Sequence, residues 1–451
     1  MKRIVWGGLC VLSSCTSPSP NGVRLITLAP GHFHAALIQK TSSKLIDDNV
    51  YVYAPGGSEL DAHLQLIDSY NSRQDNPAKW NEMVYSQDDF LERMIADKKG
   101  DAVILAGNNQ LKTNYILQSV KAGLNVLADK PMAIDASSFK TLEKAYEIAK
   151  QNKVLLYDIM TERYADCNIV NRILMQNRDL FGVLQSGTPE DPAVRLSSIH
   201  HFYKEVSGKP LIRPAWYYDV NRQGEGIVDA TTHLIDLVHW KCFPDIPIDY
   251  TNDIRVTRAS HWPTAISKAR FSQSTTLAHF PAGLPIDKDS VLQVYSNGTI
   301  YYTVKDVNVG ITVSWNFEAP AGAGDRHSSI IKGSKAALFI FQGEAQDYVP
   351  KLYIKKSEDV SEEDFTNNLK HSIETLKPDY SIEIHNASDN MKELVIYPRV
   401  KTSHEDHFAY VADKFFHYLT QKEIPAWEIQ NSLAKYYITT PAIEMARNNE
   451  K

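Results

Sequence analysis

Two hydrophobic periodicities alternate along the first third of the chain and predict an α/β fold. Between residues 23 and 158, short runs rich in aliphatic and β-branched residues are separated by longer segments whose apolar residues recur every three or four positions. Short runs of this kind predict strands, and the longer segments predict amphipathic helices. The predicted strands are Val23–Leu28, Val50–Tyr53, Ala102–Ala106, Asn125–Ala128 and Val154–Tyr157. This alternation favours a doubly wound parallel sheet with right-handed crossovers, in a first domain spanning residues 23–160.

Two predicted helices of this domain carry recognisable end signals. One covers Leu111–Gly123, where Gly123 is typical of a helix C-terminus. The other covers Ser137–Gln151, with Ser137 or Ser138 as the N-cap.

After residue 160 the pattern predicts a second, α+β domain over residues 161–451 with a large, mostly antiparallel sheet. Asn297-Gly298 predicts a hairpin turn between two strands, and the charged segment 357–379 predicts an exposed insertion. We expect two terminal helices to pack back on the first domain. The remaining elements predicted here are the helices Asp166–Gln176, His407–Leu419 and Ile429–Ala446 and the strands Ser290–Tyr295, Gly298–Val304 and Val309–Trp315.

The first 22 residues predict export and lipid anchoring. Lys2 and Arg3 precede the short apolar run Ile4–Leu12, which is too short to span a bilayer and is typical of a signal peptide. Small residues then lead to Cys15 and a polar, proline-rich linker, a pattern that resembles a bacterial lipobox. We therefore expect lipidation at Cys15 and a location in the bacterial cell envelope, on the periplasmic side or the cell surface.

Composition narrows the possible partners. The formal net charge is −6, which gives no basis for binding nucleic acid. The chain holds 23 tyrosines, whose rings are apolar and whose hydroxyl groups are polar. Such residues are suited to a sugar-binding site, but they are equally common in a protein core. Outside the leader only Cys167 and Cys242 remain, which is too few for a disulfide scaffold.

The end of the first strand is the first candidate for a nucleotide site. A dinucleotide fold requires small residues there, so that the backbone can approach the pyrophosphate. Against the pattern G-x-G-x-x-G, the chain offers Ala29, Gly31 and His34, and only the central glycine is kept. Glu59 comes late for a carboxylate that binds a ribose hydroxyl, and no arginine there suits a 2′-phosphate. We expect NAD, with NADP not excluded.

Two further motifs carry a family resemblance. Gly107-Asn108-Asn109 follows a predicted strand, and the strand Asn125–Ala128 ends in Asp129-Lys130-Pro131. About a hundred residues later, Gly224-Glu225-Gly226 leads into a predicted helix with Asp229 and His233 on one face and Asp236 along the same stripe. Together these motifs resemble the Gfo/Idh/MocA oxidoreductases, whose first domain is a Rossmann domain. Asp129 replaces the usual Glu, and Thr231 replaces a glycine.

The resemblance implies roles for individual residues. It implies that Lys130 contacts both the nicotinamide ribose and the reacting hydroxyl, where an ammonium stabilises developing negative charge. An imidazole at His233 can exchange the hydroxyl proton, with Asp229 orienting the catalytic groups. The predicted catalytic residues are Lys130, Asp229 and His233. The predicted cofactor-binding residues are Ala29, Gly31, His32, Phe33, His34, Gly107, Asn108, Asn109, Asp129, Lys130 and Pro131.

Further residues are candidates for the substrate side. The predicted substrate-binding residues are Lys130, Arg163, Trp216, Tyr217, Asp229 and His233. His200 and His201 are equally compatible with a sugar site and with the core. His32 and His34 are spaced like a metal pair, but the sequence offers no third ligand beside them, so we expect no metal.

Three functions remain open at this point. The first is NAD(P)-dependent oxidation or reduction of a secondary hydroxyl of a carbohydrate or polyol. The second is a redox-neutral, NAD-dependent glycoside hydrolase with a tightly bound cofactor, which would suit an exported protein because free cofactor is not expected outside the cytoplasm. The third is a non-catalytic sugar-binding lipoprotein. We expect a homo-oligomer in each case.

Overall fold

A computed structural model describes residues 22–206, 209–388 and 390–449. The predicted signal peptide, the linker as far as Asn21, and the proposed lipidation site Cys15 lie outside these residues. None of the described helices combines the length and the apolarity that crossing a bilayer requires.

The first domain is a six-stranded parallel sheet flanked by helices, as predicted. The strand order is β3-β2-β1-β4-β5-β6. The strands are β1 Val23–Leu28, β2 Ile46–Ala54, β3 Asn81–Ser86, β4 Ala102–Leu105, β5 Asn125–Asp129 and β6 Leu156–Ile159. The helices are α1 His34–Leu37, α2 Ser58–Ser72, α3 Phe90–Asp97, α4 Asn109–Lys121 and α5 Ala136–Asn152. The edge strand β3 escaped prediction because its residues are half-exposed and carry no clear alternation.

The N-cap of α5 differs from the prediction. Asp135, and not Ser137 or Ser138, accepts a hydrogen bond from the Ser138 amide, and the Ser138 side chain bonds back to the Asp135 backbone. This is a capping box, in which each residue satisfies an unpaired group of the other at the helix start. Ser138 is therefore the third helical residue, and the helix begins at Ala136.

The second domain contains a nine-stranded sheet of order β10-β11-β12-β7-β13-β14-β15-β17-β16, and most of its pairs are antiparallel. Its strands are β7 Val194–Tyr203, β10 Ile254–Ile266, β11 Leu292–Val304, β12 Val307–Glu318, β13 Arg326–Lys332, β14 Ala336–Gln342, β15 Lys351–Lys356, β16 Tyr380–Ser388 and β17 Met391–Pro398. A small separate pair is formed by β8 Glu205–Val206 and β9 Lys209–Pro210. The helices are α6 Asp166–Gln176, α7 Val220–Gln223, α8 Thr231–Cys242, α9 Tyr250–Asp253, α10 Lys268–Thr275, α11 Glu362–Glu374, α12 Asp406–Gln421 and α13 Ala426–Asn448.

The predicted hairpin at Asn297-Gly298 is wrong. Both residues lie inside the continuous strand β11, at a register shift against β10. The Asn297 side chain binds backbone groups of Trp262 and Trp315, so its polar amide is used across the sheet. The actual turn follows at Lys305-Asp306, where both residues have positive φ and β11 passes into β12.

The charged segment 357–379 is not simply an exposed insertion. It contains helix α11, which buries Phe365, Leu369 and Ile373 in the core of the second domain. Cys167 and Cys242 are both free thiols.

The two terminal helices lie against the first domain. Phe408, Phe415 and Phe416 of α12 belong to the apolar cluster that covers Val23 and Leu25 of β1. Tyr436 of α13 is buried in the cluster on the other face of the sheet. The carboxyl ends of β1, β4 and β5 thereby face the start of α8.

Candidate active site

The site lies at the carboxyl edge of the parallel sheet, where the strand order reverses between β1 and β4. Ligands of doubly wound folds bind in the crevice at such a switch point. The turn after β1 carries Gly31 and the turn after β4 carries Gly107, and the two turns are in contact. A Cβ on Gly107 would lie 2.7 Å from the Ala29 oxygen and 2.9 Å from the Gly31 nitrogen. Only glycine permits this approach.

The rim of the crevice is formed by the turn after β1. Ala29 has a positive φ of 46°, and Gly31, His32, Phe33 and His34 are all half-exposed. The amides of Gly31 and His32 donate to the Ala106 oxygen, at 3.0 and 3.1 Å, so the backbone of this turn is fixed by β4.

A pair of polar residues on α4 supports the end of β5. The Lys112 ammonium is buried and donates to the Asp129 backbone oxygen at 2.9 Å and to the Asn109 side chain at 2.5 Å. Burial lowers the pKa of Lys112 to about 8. Asn109 in turn donates to the backbone oxygen of Gln223 at 2.7 Å. Asn108 is the N-cap of α4 and accepts from the Gln110 amide at 3.0 Å.

Lys130 and Asp229 form the central contact of the site. The Lys130 Nζ lies 2.7 Å from Asp229 Oδ1, and the Gln223 amide donates to Asp229 Oδ2 at 3.0 Å. Burial disfavours the Lys130 ammonium, yet Asp229 and Asp129 hold its pKa above the ordinary value. The peptide bond between Lys130 and Pro131 is cis. The structure therefore brings two of the three predicted catalytic residues together across the domain boundary.

The glycines before Asp229 explain how it reaches this position. Gly224 has a φ of +88°, and a Cβ on Gly226 would lie 1.7 Å from the Ser296 backbone oxygen. The turn therefore packs directly on β11. The predicted helix included Asp229, but the regular helix begins at Thr231 and Asp229 lies just before it. The Asp229 amide already donates to the Glu225 oxygen.

His233 is the group of α8 that faces the crevice. Every residue from Thr231 to His239 is buried except His233, which is half-exposed. Its Nδ1 is enclosed and has no hydrogen-bond partner within residues 22–206, 209–388 and 390–449. Burial and the nearby Lys130 hold the pKa of His233 well below the ordinary value, although Glu162 and Asp236 oppose this. The imidazole is therefore neutral near pH 7.

Arg163 and Asp236 belong to a buried ionic network below the site. Arg163 binds both oxygens of Asp236, at 2.6 and 2.7 Å, and also Glu428 at 2.8 Å. Lys435 bridges Asp236 and Asp158 at 3.2 and 2.8 Å. All three nitrogens of the Arg163 guanidinium group have partners within the second domain, and Lys435 extends this network to Asp158 of the first domain. The predicted contact of Arg163 with substrate stays a prediction.

Trp216 and Tyr217 lie on the second-domain wall of the crevice. The Trp216 indole donates to Glu59 Oε1 at 2.7 Å, across the domain boundary. A Cβ on Gly31 would lie 2.6 Å from Glu59 Oε2, so the Glu59 carboxylate rests against the turn after β1. Tyr217 is stacked under Arg213, and burial raises its pKa to about 12.

The comparisons with known proteins agree with this arrangement. Residues 31–158 match the family described as "Oxidoreductase family, NAD-binding Rossmann fold", of the Gfo/Idh/MocA type, and residues 170–447 match "Putative oxidoreductase C terminal domain". A solved "putative oxidoreductase" from Parabacteroides merdae is 46% identical, with a TM-score of 0.93, and the match covers 96% of this chain and 99% of that chain. No curated protein matches the chain.

Two more distant structures share the fold. One is a "putative oxidoreductase" from Thermotoga maritima, 12% identical with a TM-score of 0.60 and covering 95% of this chain and 98% of that chain. The other is a 3-ketoreductase from Actinomadura kijaniata in complex with TDP-benzene and NADP, 15% identical with a TM-score of 0.54 and covering 95% and 97%. The chain belongs to the Gfo/Idh/MocA oxidoreductase family, and its first domain is a NAD-binding Rossmann domain.

The crevice fits such a cofactor at some points and departs from the common pattern at others. Gly31 and Gly107 bring the two turns into close contact, although the Glu59 carboxylate rests against Gly31. Lys130 lies at the strand end where the nicotinamide is expected. The pyrophosphate side is unusual, because the Gly31 and His32 amides are already bonded to Ala106.

Two residues of the site, Gln223 and Lys112, were not found from the sequence. Each contacts a predicted residue, but neither belongs to a recognisable motif. Glu59 was considered for a ribose hydroxyl, but its contact with Trp216 was not predicted. The one available signal was the spacing of Asn109 and Lys112, which lie three residues apart on a helix and therefore on one face.

Proposed function

We propose that this protein transfers hydride between NAD(P) and a secondary hydroxyl, or the corresponding ketone, of a carbohydrate or related polyol. The observation that carries the proposal is the 2.7 Å contact between Lys130 and Asp229, with His233 the half-exposed residue of the adjoining helix face. An ammonium and a neutral imidazole together suit the reversible removal of a hydroxyl proton.

The cofactor supplies the hydride acceptor or donor, and the protein supplies the remaining groups. We propose that the cofactor lies along the turns after β1 and β4 and the end of β5. The Glu59 carboxylate rests against Gly31 of the first turn, which favours a ribose hydroxyl over a 2′-phosphate and hence NAD.

Lys130 acts as a fixed positive charge in this proposal. As the hydroxyl is oxidised its oxygen gains negative charge, and an ammonium already oriented by Asp229 stabilises that charge without rearrangement. Gln223 holds the second oxygen of Asp229, so the carboxylate cannot rotate away. Asp229 thus positions Lys130.

His233 accepts the hydroxyl proton in oxidation and returns it in reduction. Because burial keeps the imidazole neutral, it is in the form needed to accept a proton. General acid–base assistance of this kind contributes about a hundred- to ten-thousand-fold in rate.

The second-domain wall supports a carbohydrate or polyol as substrate. Trp216 and Tyr217 are aromatic residues of this wall, each with 7% of its surface exposed, and aromatic rings of this kind suit the apolar face of a sugar ring. Export and a lipid anchor at Cys15 remain part of the proposal.

The experiment combines native mass spectrometry of the full-length protein with turnover assays. We expect one NAD(H) per chain, and reduction of NAD+ in the presence of a member of a sugar and polyol panel. His233→Ala should lower turnover by at least about a hundredfold. His385→Ala, at an exposed histidine, is the matched control and should not change it. A protein that neither retains nor binds a dinucleotide, or an H233A variant with normal turnover, would contradict the proposal.

Redox-neutral chemistry gives a different result in the same assay. A glycoside hydrolase with tightly held cofactor would release product from an aryl glycoside without net formation of NADH. Net NADH formation that follows sugar concentration identifies the dehydrogenase.

A further inference from the structure

The fold supplies the third ligand that the sequence does not place beside His32 and His34. His32 and His34 lie in the turn after β1, and Asp129 is the last residue of β5, almost a hundred positions later. The His34 Nδ1 is 3.0 Å from Asp129 Oδ2, and the His32 Nδ1 is 3.7 Å from the same oxygen. The two imidazole rings are perpendicular, with centroids 4.0 Å apart.

We propose that His32, His34 and Asp129 form a binding site for a divalent transition metal ion such as Zn²⁺. One donor atom from each residue lies within 4.8 Å of the other two. Donors bound at about 2.1 Å in a tetrahedron are about 3.4 Å apart, so the distances of 3.0 and 3.7 Å to Asp129 bracket the required spacing. Two imidazoles and one carboxylate favour Zn²⁺ or a similar ion over Mg²⁺ or Ca²⁺, which take oxygen ligands.

An enclosed and unused nitrogen at this place supports the proposal independently of the spacing. The His32 Nδ1 is shielded from solvent and has no hydrogen-bond partner in the part of the chain that the structure describes. Leaving such an atom unpaired costs free energy, and a metal ion would satisfy it. Among the residues that the structure describes, the His34 Nδ1 is hydrogen-bonded to the Asp129 carboxylate alone.

No lysine or arginine described by the structure pairs with the Asp129 carboxylate. Lys112 bonds to the backbone oxygen of Asp129, and the Lys130 ammonium is turned to Asp229. The His32 and His34 side chains border the crevice with 18% and 14% of their surfaces exposed, through which water or a ligand oxygen can complete the coordination.

A second histidine pair in the chain lies beside a carboxylate that already has a cation as its partner. His200 and His201 approach Asp325 at 3.6 and 2.8 Å, which is similar to the geometry at Asp129. There, however, the Lys204 ammonium forms an ion pair with the Asp325 carboxylate, at 2.9 Å. A cation already neutralises that carboxylate, so His200 serves as a matched control position.

The test is zinc binding by the full-length protein after treatment with a chelator. Calorimetry with ZnCl₂ and elemental analysis should show one ion per chain for the unaltered protein and for His200→Ala. His32→Ala and Asp129→Asn should each bind at least about a hundredfold more weakly. His32→Ala removes no hydrogen bond of Nδ1, so its thermal melting without metal should match the parent and confirm that it folds.

A cobalt-substituted protein gives a second readout. The visible d–d bands of Co²⁺ at this site should be present in the parent and in His200→Ala and absent in His32→Ala. Failure of the parent to bind one zinc ion at micromolar concentration would overturn the proposal, and so would equal affinity in the parent and His32→Ala. Neither result depends on turnover, so they are separable from the proposed oxidoreductase activity.

Discussion

The Nζ of Lys130 lies 2.7 Å from Oδ1 of Asp229, and this contact joins the NAD-binding domain to the second domain. Both side chains are largely buried, with 14% and 5% of their surfaces exposed. The contact continues from Asp229 through Gln223 to Asn109 and Lys112. The position of the central ammonium therefore depends on residues from both domains.

Replacement of Lys130 by methionine should remove the charge while keeping most of the side-chain volume. We expect kcat to fall by about a hundred- to a thousandfold, because the oxygen that gains negative charge loses its nearest cation. Steady-state kinetics and calorimetry with NAD+ would measure this. Lys140→Met, at an exposed lysine of α5, is the control and should leave kcat unchanged. Unaltered kcat in Lys130→Met would exclude the proposed role.

At acidic pH, the dependence of kcat/KM on pH should reflect the lowered pKa of His233. Burial and Lys130 lower this pKa, while Glu162 and Asp236 raise it less strongly. The neutral form therefore persists below the ordinary value of about 6.5. For oxidation we expect kcat/KM to stay level from about pH 7 to about pH 6. A profile that bends at an apparent pKa near 6.5 would show that His233 is an ordinary, solvated imidazole or is not the base.

Asp236 should contribute stability that is lost in acid. Burial disfavours the carboxylate, but Arg163 and Lys435 together hold its pKa well below the usual range. A carboxyl group whose pKa is lower in the folded state stabilises the fold above its unfolded pKa of about 3.9 and ceases to do so as pH falls towards the folded value. Stability measured by urea denaturation should therefore decline below about pH 4.

Asp236→Asn should cost about 3–5 kcal/mol at neutral pH, because Arg163 and Lys435 stay buried without their common counter-charge. The variant should also lose part of the acid dependence. Asp191→Asn, at a surface ion pair with Lys332, is the control and should change stability little. Equal stability of parent and Asp236→Asn at pH 7 would contradict this account.

Gly226→Ala should disrupt the turn that carries Asp229. The new Cβ would lie 1.7 Å from the backbone oxygen of Ser296, and backbone on a central strand cannot move aside cheaply. We expect a loss of at least about 3 kcal/mol in the free energy of unfolding, together with lower turnover. Gly343→Ala, where a Cβ meets only ordinary contact at 3.7 Å, is the control. A stable and active Gly226→Ala variant would mean that the turn can shift.

The sequence by itself determined the parallel first domain, the mostly antiparallel second sheet and the candidate roles of Lys130, Asp229 and His233, because strand–helix alternation and local motifs are properties of neighbouring residues. Its errors were local signals overridden by other partners, which were distant strands in one case and a neighbouring residue in the other. Asn297-Gly298 has turn chemistry, but pairing with β10 and β12 keeps it within a strand. The serines of α5 are good N-caps, but Asp135 already fills that position.

Only the tertiary structure decided which distant residues meet. It brought Lys130 to Asp229, Glu59 to Trp216, Arg163 to Asp236, and Asp129 to His32 and His34. Arg163 and Asp236 are 73 residues apart in the sequence, and Glu59 and Trp216 are 157 residues apart. No local periodicity specifies such contacts, because they arise when strand ends and domain surfaces are packed together to bury apolar side chains.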